Sequence, residues 1–169
     1  MKMHGSVTIN GRAYQAGDEV SGSFIYPFFL VHMLAFGLSG FFLAYSGDVP
    51  AFFLYMHGGI AILVYLIFYL VIFGRDQVEW MFINAGLGIF GIVSQLNFIL
   101  GLFGKHVGDF PWYVHVIPAL YWILYTFLIR HALLDMTGAR EDPDKERRIN
   151  FGYIGVSLAA YGLAGVLGF

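Results

Sequence analysis

The chain contains no cysteine. Disulfides, thiolate nucleophiles, iron–sulfur clusters and cysteine zinc sites are excluded together. Charge is scarce as well: Asp, Glu, Lys and Arg make up 12% of 169 residues, about half the share of an ordinary soluble domain. What charge there is nearly cancels, at −2, so nothing offers nucleic acid a cationic footprint. No cleavable leader is visible, because the first 23 residues are polar and the first apolar run is too long for a signal peptide. The long apolar runs also lack carboxylates: all 11 Asp and Glu residues lie outside them or at their edges. Carboxylate proton relays, di-iron carboxylate centres and embedded acidic proteases therefore have no raw material at mid-membrane.

What is abundant is apolar, aromatic and small: 59% hydrophobic residues, 19% aromatics and 22 glycines. That composition belongs to helices packed within a bilayer. Five runs approach the ~20 residues a crossing needs. The sequence predicts an all-α integral membrane protein with five transmembrane helices in an up-down bundle, at about 24–45, 50–73, 78–103, 112–134 and 151–169. The connections are short except for DMTGAREDPDKERRIN, which reads as a solvated polar loop between spans 4 and 5. Lys2, Arg12, Arg75, Arg130, Arg140, Lys145, Arg147 and Arg148 fall on one side and Lys105 on the other. The positive-inside rule then puts the amino terminus in the cytoplasm and the carboxyl terminus outside, as in a bacterial inner membrane.

Residues 1–23 form a separate polar head. Asn10-Gly11, flanked by the alternation of Val7 and Ile9, predicts a β-hairpin. An isolated hairpin is marginal in water, so it must pack on something. It serves either as a cap on its own bundle, the favoured expectation, or as a docking element for a partner subunit.

Within the spans the polar residues are histidines, amides and hydroxyls. Asn84, Gly88, Gly91 and Gln95 recur at steps of four, three and four, which lines one face of a straight third helix. That face is either a packing seam with interhelical hydrogen bonds or the wall of a cofactor or substrate cavity. Span 5 carries two small-residue faces, Gly155, Ala159 and Gly162, and Ala160, Ala164 and Gly168, both expected as packing seams. His4 and His106 fall in the head and a loop, where solvated histidine is the default. His32 lies in span 1, His57 in the outer half of span 2 before Gly58 and Gly59, and His115 and His131 at the two ends of span 4. Pro118 is expected to kink span 4. No two histidines are closer than the nine residues between His106 and His115, which excludes the tight histidine repeats of membrane di-iron oxygenases.

The order of these histidines, together with FFLVHMLAFGLSGFFLAYSG in the first span, resembles the small dihaem cytochromes b that anchor formate dehydrogenases and hydrogenases. The likeness covers roughly residues 24–134. It implies that His32 and His131 ligate an inner haem b and that His57 and His115 ligate an outer one. His115 and His131 lie about 160° apart round a straight helix, so one haem on His57 and His115 fits the spacing better than two. The alternative for His32 and His57 is a packing histidine, neutral and hydrogen-bonded across a helix interface, and for His115 and His131 an interfacial residue, His131 reaching the head groups beside Arg130. Three functions follow: a membrane-embedded b-type haem or quinone-linked redox subunit, a non-catalytic structural or assembly subunit of a larger membrane complex, and a small oligomeric transporter or channel. The expected partners are the lipid bilayer, other membrane subunits or a second copy, and a quinone, with no nucleic acid.

Overall fold

The computed structural model describes residues 1–9, 11–47 and 49–166. Strands β1 (Val7–Ile9) and β2 (Arg12–Tyr14) pair antiparallel, with Val7 opposite Tyr14 and Ile9 opposite Arg12. This register leaves a two-residue turn in which Gly11 takes a φ of 77°, as so short a hairpin demands. Asn10 lies outside the described residues. Ile9 and Tyr14 point inward and join Met3 and Val20 in the same apolar core as the helices. Backbone hydrogen bonds then fix the head at two places. The Met1 amino group donates to the Val20 carbonyl at 3.0 Å, and the amides of His4 and Gly5 donate to the Val71 carbonyl at 2.7 and 3.0 Å. The head caps its own bundle, tying the beginning of the first helix to the end of the second.

Among the described residues three helices are long and apolar enough to cross a bilayer: α1 (Gly22–Tyr45), α2 (Ala51–Phe73) and, after the next two described below, α5 (Trp112–Met136). Val31, Phe52, Leu63 and Ile67 are each more than 60% exposed on their outer faces. Large apolar side chains turned outward on helices of this length mark a bundle surrounded by hydrocarbon. α5 is central, and its most extensive packing is against α1. Pro118 falls in its first α-helical turn, where the missing N–H is not needed. The span continues from Trp112 to Met136, so the expected kink does not divide it.

The third span departs from expectation. Instead of one straight helix over 78–103 there are two, α3 (Arg75–Leu87) and α4 (Ile89–Gly101). They meet at Gly88, with φ −95° and ψ 11°, and the bend between them is 71°. Counted together they make a fourth broken crossing or a re-entrant segment. The last helix, α6 (Pro143–Val166), starts inside the stretch expected to be a loop. Asp142 Oδ1 accepts the amides of Asp144 and Lys145, both at 3.1 Å, so Asp142 caps the helix and Pro143 opens it. The fifth span expected at 151–169 runs past the described residues at its end, and of the second small face Gly168 lies outside them. Gly155, Ala159 and Gly162 are exposed, and a Cβ built at Gly155 or Gly162 meets nothing within 4 Å among the described residues. Among the described residues of one chain this face is therefore not a packing seam.

Candidate functional site

The four histidines of the spans occupy four different environments. At the end of the bundle away from the hairpin, α2 contains a π-helical turn, Tyr55–Gly59. A Cβ on Gly58 would lie 2.3 Å from Ile117 Cγ2, so only glycine lets α2 and α5 approach this closely. Beside it the half-buried His57 turns to α1. Its Nε2 lies 2.9 Å from Ser39 Oγ and its ring packs against Phe36. His115 closes a 3₁₀ turn, Trp112–His115, at the entry to α5. Its Nδ1 lies 2.9 Å from the hydroxyl of Tyr45, a buried side chain held between the rings of Phe41 and Phe110. Lys105 Nζ donates to the Tyr45 carbonyl at 2.6 Å, and Tyr55 donates to the Tyr113 carbonyl at 2.7 Å. Both histidines thus anchor to α1, on hydroxyls six residues and about 9 Å apart in rise.

At the hairpin end, His131 is 1% exposed. Its ring stacks on Phe73 at 4.6 Å and meets the edge of Phe127 at 4.3 Å. Arg140 Nη2 lies 3.0 Å from its Nδ1. A guanidinium only donates, so Nδ1 accepts and the ring proton sits on Nε2, which is buried without a partner among the described residues. Arg140 also donates through Nε to Asp135, which accepts the Tyr26 hydroxyl as well. Burial pulls the Arg140 guanidinium down, but Asp135 and Tyr26 outweigh it and raise its pKa. Three elements are joined there: α1 through Tyr26, α5 through His131 and Asp135, and the segment before α6 through Arg140.

His32 differs from the other three. It is exposed near the middle of α1, its ring leaning on Phe28 at 4.3 Å. Nδ1 lies 2.7 Å from the Phe28 carbonyl. A carbonyl can only accept, so Nδ1 carries the proton and Nε2 presents a lone pair. No partner for Nε2 is found among the described residues. The enclosed His131 and the outward His32 share no common cavity.

The residues expected on one face of the third span are divided by the break at Gly88. Gln95, on α4, accepts the indole N–H of Trp122, while Gly91 is buried. Asn84, on α3, is exposed. Its backbone carbonyl accepts the Gly88 amide at 3.0 Å, and its side-chain amide has no partner among the described residues. Ser39, Tyr45, Tyr26, Asp135 and Arg140 were not legible as site residues from the sequence. Their partners lie far along the chain, and serine or tyrosine in an apolar run gives no directional signal.

Among the described residues no group of three or more His, Asp or Glu side chains is placed to hold a metal ion. That concerns ions held by protein ligands alone, since a haem takes only one or two. No family model, curated protein or solved structure matches the chain. Its own geometry defines the class: a membrane-embedded, largely helical protein with an amino-terminal hairpin cap.

Proposed function

We propose that the chain is a non-catalytic subunit of a larger membrane assembly, inserted in a bacterial inner membrane with its amino terminus in the cytoplasm. One contrast supports this above all. His57, His115, His131 and Gln95 are each hydrogen-bonded to another helix or segment of the chain, whereas His32, bonded only within its own helix, and Asn84 stand on its outer surface. An unpaired amide-like group in hydrocarbon costs about 2–7 kcal/mol, and a neighbouring subunit removes that cost. The open face of Gly155, Ala159 and Gly162 agrees with close approach by another helix. Extracted in mild detergent, the wild-type protein is expected to migrate above the size of one chain. His32→Leu combined with Asn84→Leu is expected to bring it down to one. A wild-type monomer would overturn the proposal.

A redox subunit carrying a b-type haem or working with a quinone is the second reading, and His115 favours it. Its Nδ1 is turned to Tyr45, the kind of hydrogen bond that orients an axial ligand and leaves Nε2 for iron. His57 fits that role less well, because its Nε2 is taken by Ser39. A Soret band that survives purification and is lost in His115→Ala would establish haem binding. Colourless protein from haem-replete cells would dismiss it. The oligomeric transporter required a continuous face through Asn84, Gly88, Gly91 and Gln95, and the bend at Gly88 interrupts that face.

A further inference from the structure

α6 changes character along its length. Arg148 is the last charged residue of the chain, and the helix beyond it carries no charge. In a membrane-embedded protein that change marks the level at which the helix enters hydrocarbon. A cavity of about 240 Å³ straddles the change, with Glu146, Arg147 and Asn150 on its polar side and Phe151 and Ile154 on its apolar side. α5 supports the polar side through Arg130. Its Nη2 lies 3.3 Å from Glu146 Oε1, and its Nε donates to Asn150 Oδ1 at 3.0 Å.

Those two bonds decide what the cavity offers. Arg130 compensates the Glu146 carboxylate. A guanidinium only donates, so the Asn150 oxygen faces Arg130 and its amide N–H groups are left to donate elsewhere. The other cations nearby are engaged: Arg140 serves Asp135 and His131, and Lys145 donates to the Thr137 carbonyl. Arg147 is exposed, lies over the Phe151 ring at 5.7 Å, and has no carboxylate partner among the described residues. The cavity therefore sets one uncompensated positive charge and a pair of amide donors beside an apolar wall. We propose that it binds the headgroup of an anionic phospholipid, whose phosphate takes the Arg147 guanidinium and the Asn150 amide while an acyl chain runs along Phe151 and Ile154. The bilayer itself supplies a molecule with phosphate at one end and hydrocarbon at the other. A zwitterionic lipid would bring its own cation against Arg147. The volume suits a headgroup and not a whole lipid, and the site needs neither a partner subunit nor haem.

Native mass spectrometry of the full chain, titrated with lipids of identical acyl chains, measures the preference. Phosphatidylglycerol is expected to bind about fivefold tighter than phosphatidylcholine, and Arg147→Gln is expected to remove that difference. Arg148→Gln deletes the same charge one residue on, outside the cavity lining, and is expected to keep it. Equal losses in the two variants would mean attraction to charge at large and would overturn the site, as would equal binding of both lipids to the wild type. Asn150→Asp provides a second variant. It retains an acceptor for Arg130 but puts a carboxylate where the phosphate sits. Phosphatidylglycerol binding is then expected to fall at least about tenfold with the melting temperature unchanged. Undiminished binding to that variant would contradict the seat of the phosphate. Inorganic phosphate at millimolar concentration is expected to leave the lipid in place, and displacement would overturn a lipid site in favour of free phosphate.

Discussion

Gly58 has no room for a side chain, and that single hydrogen sets how close α2 comes to α5. Gly58→Val would drive a branched side chain into Ile117 and is expected to destabilise the bundle by about 1–3 kcal/mol. Its neighbour Gly59 has nothing within 4 Å of a built Cβ, so Gly59→Ala is expected to be neutral or slightly stabilising. Steric-trap unfolding in bicelles measures both, and equal effects at the two glycines would contradict the close contact. Arg140 works by direction of hydrogen bonding. Its fork serves Asp135 and His131 together, yet the side chain is 38% exposed in its pair with Asp135, so water offsets part of any loss. Arg140→Ala is expected to cost about 1–2 kcal/mol. Arg140→Lys is expected to recover less than half of it, since one ammonium does not reproduce a planar fork. Full recovery by lysine would show that charge alone matters.

The helices show which signals a sequence carries plainly. Spans 1, 2 and 4 were legible because hydropathy measures burial in lipid, and the hairpin because Asn10-Gly11 is a local signal. The break at Gly88 was not legible, since apolar content continues through it and hydropathy has no direction. The early start of α6 was legible in principle, as Asp142, Pro143 and the acidic residues after them form a helix-start signature. The charge of that stretch masks it, because hydropathy marks the same residues as loop. The histidines fall on the helices expected of them, but neither their partners nor their burial was legible: His131, expected at the head groups, is enclosed, and His32 is exposed. Ser39 reaches His57, and Tyr26 reaches Asp135, only through tertiary packing. Gly74 tests the joint between head and bundle. It holds a φ of 88°, and a Cβ there would lie 2.9 Å from His4 Nδ1. Gly74→Ala is expected to loosen the head, seen as faster amide exchange at His4 and Gly5 with little change in the middle of α1. Unchanged protection at those two amides would contradict the docking of the head on α2.

Taken as one body, the molecule pairs His57, His115, His131 and Gln95 within itself and leaves His32 and Asn84 exposed on its outer surface. On the proposed assembly role, such a chain is incomplete alone in a bilayer. The mass of the particle released intact from lipid nanodiscs, measured by native mass spectrometry, tests that most directly. A particle heavier than one 18.9 kDa chain by the mass of at least one further polypeptide is the predicted result. A single 18.9 kDa chain, stable in the bilayer on its own, would contradict it.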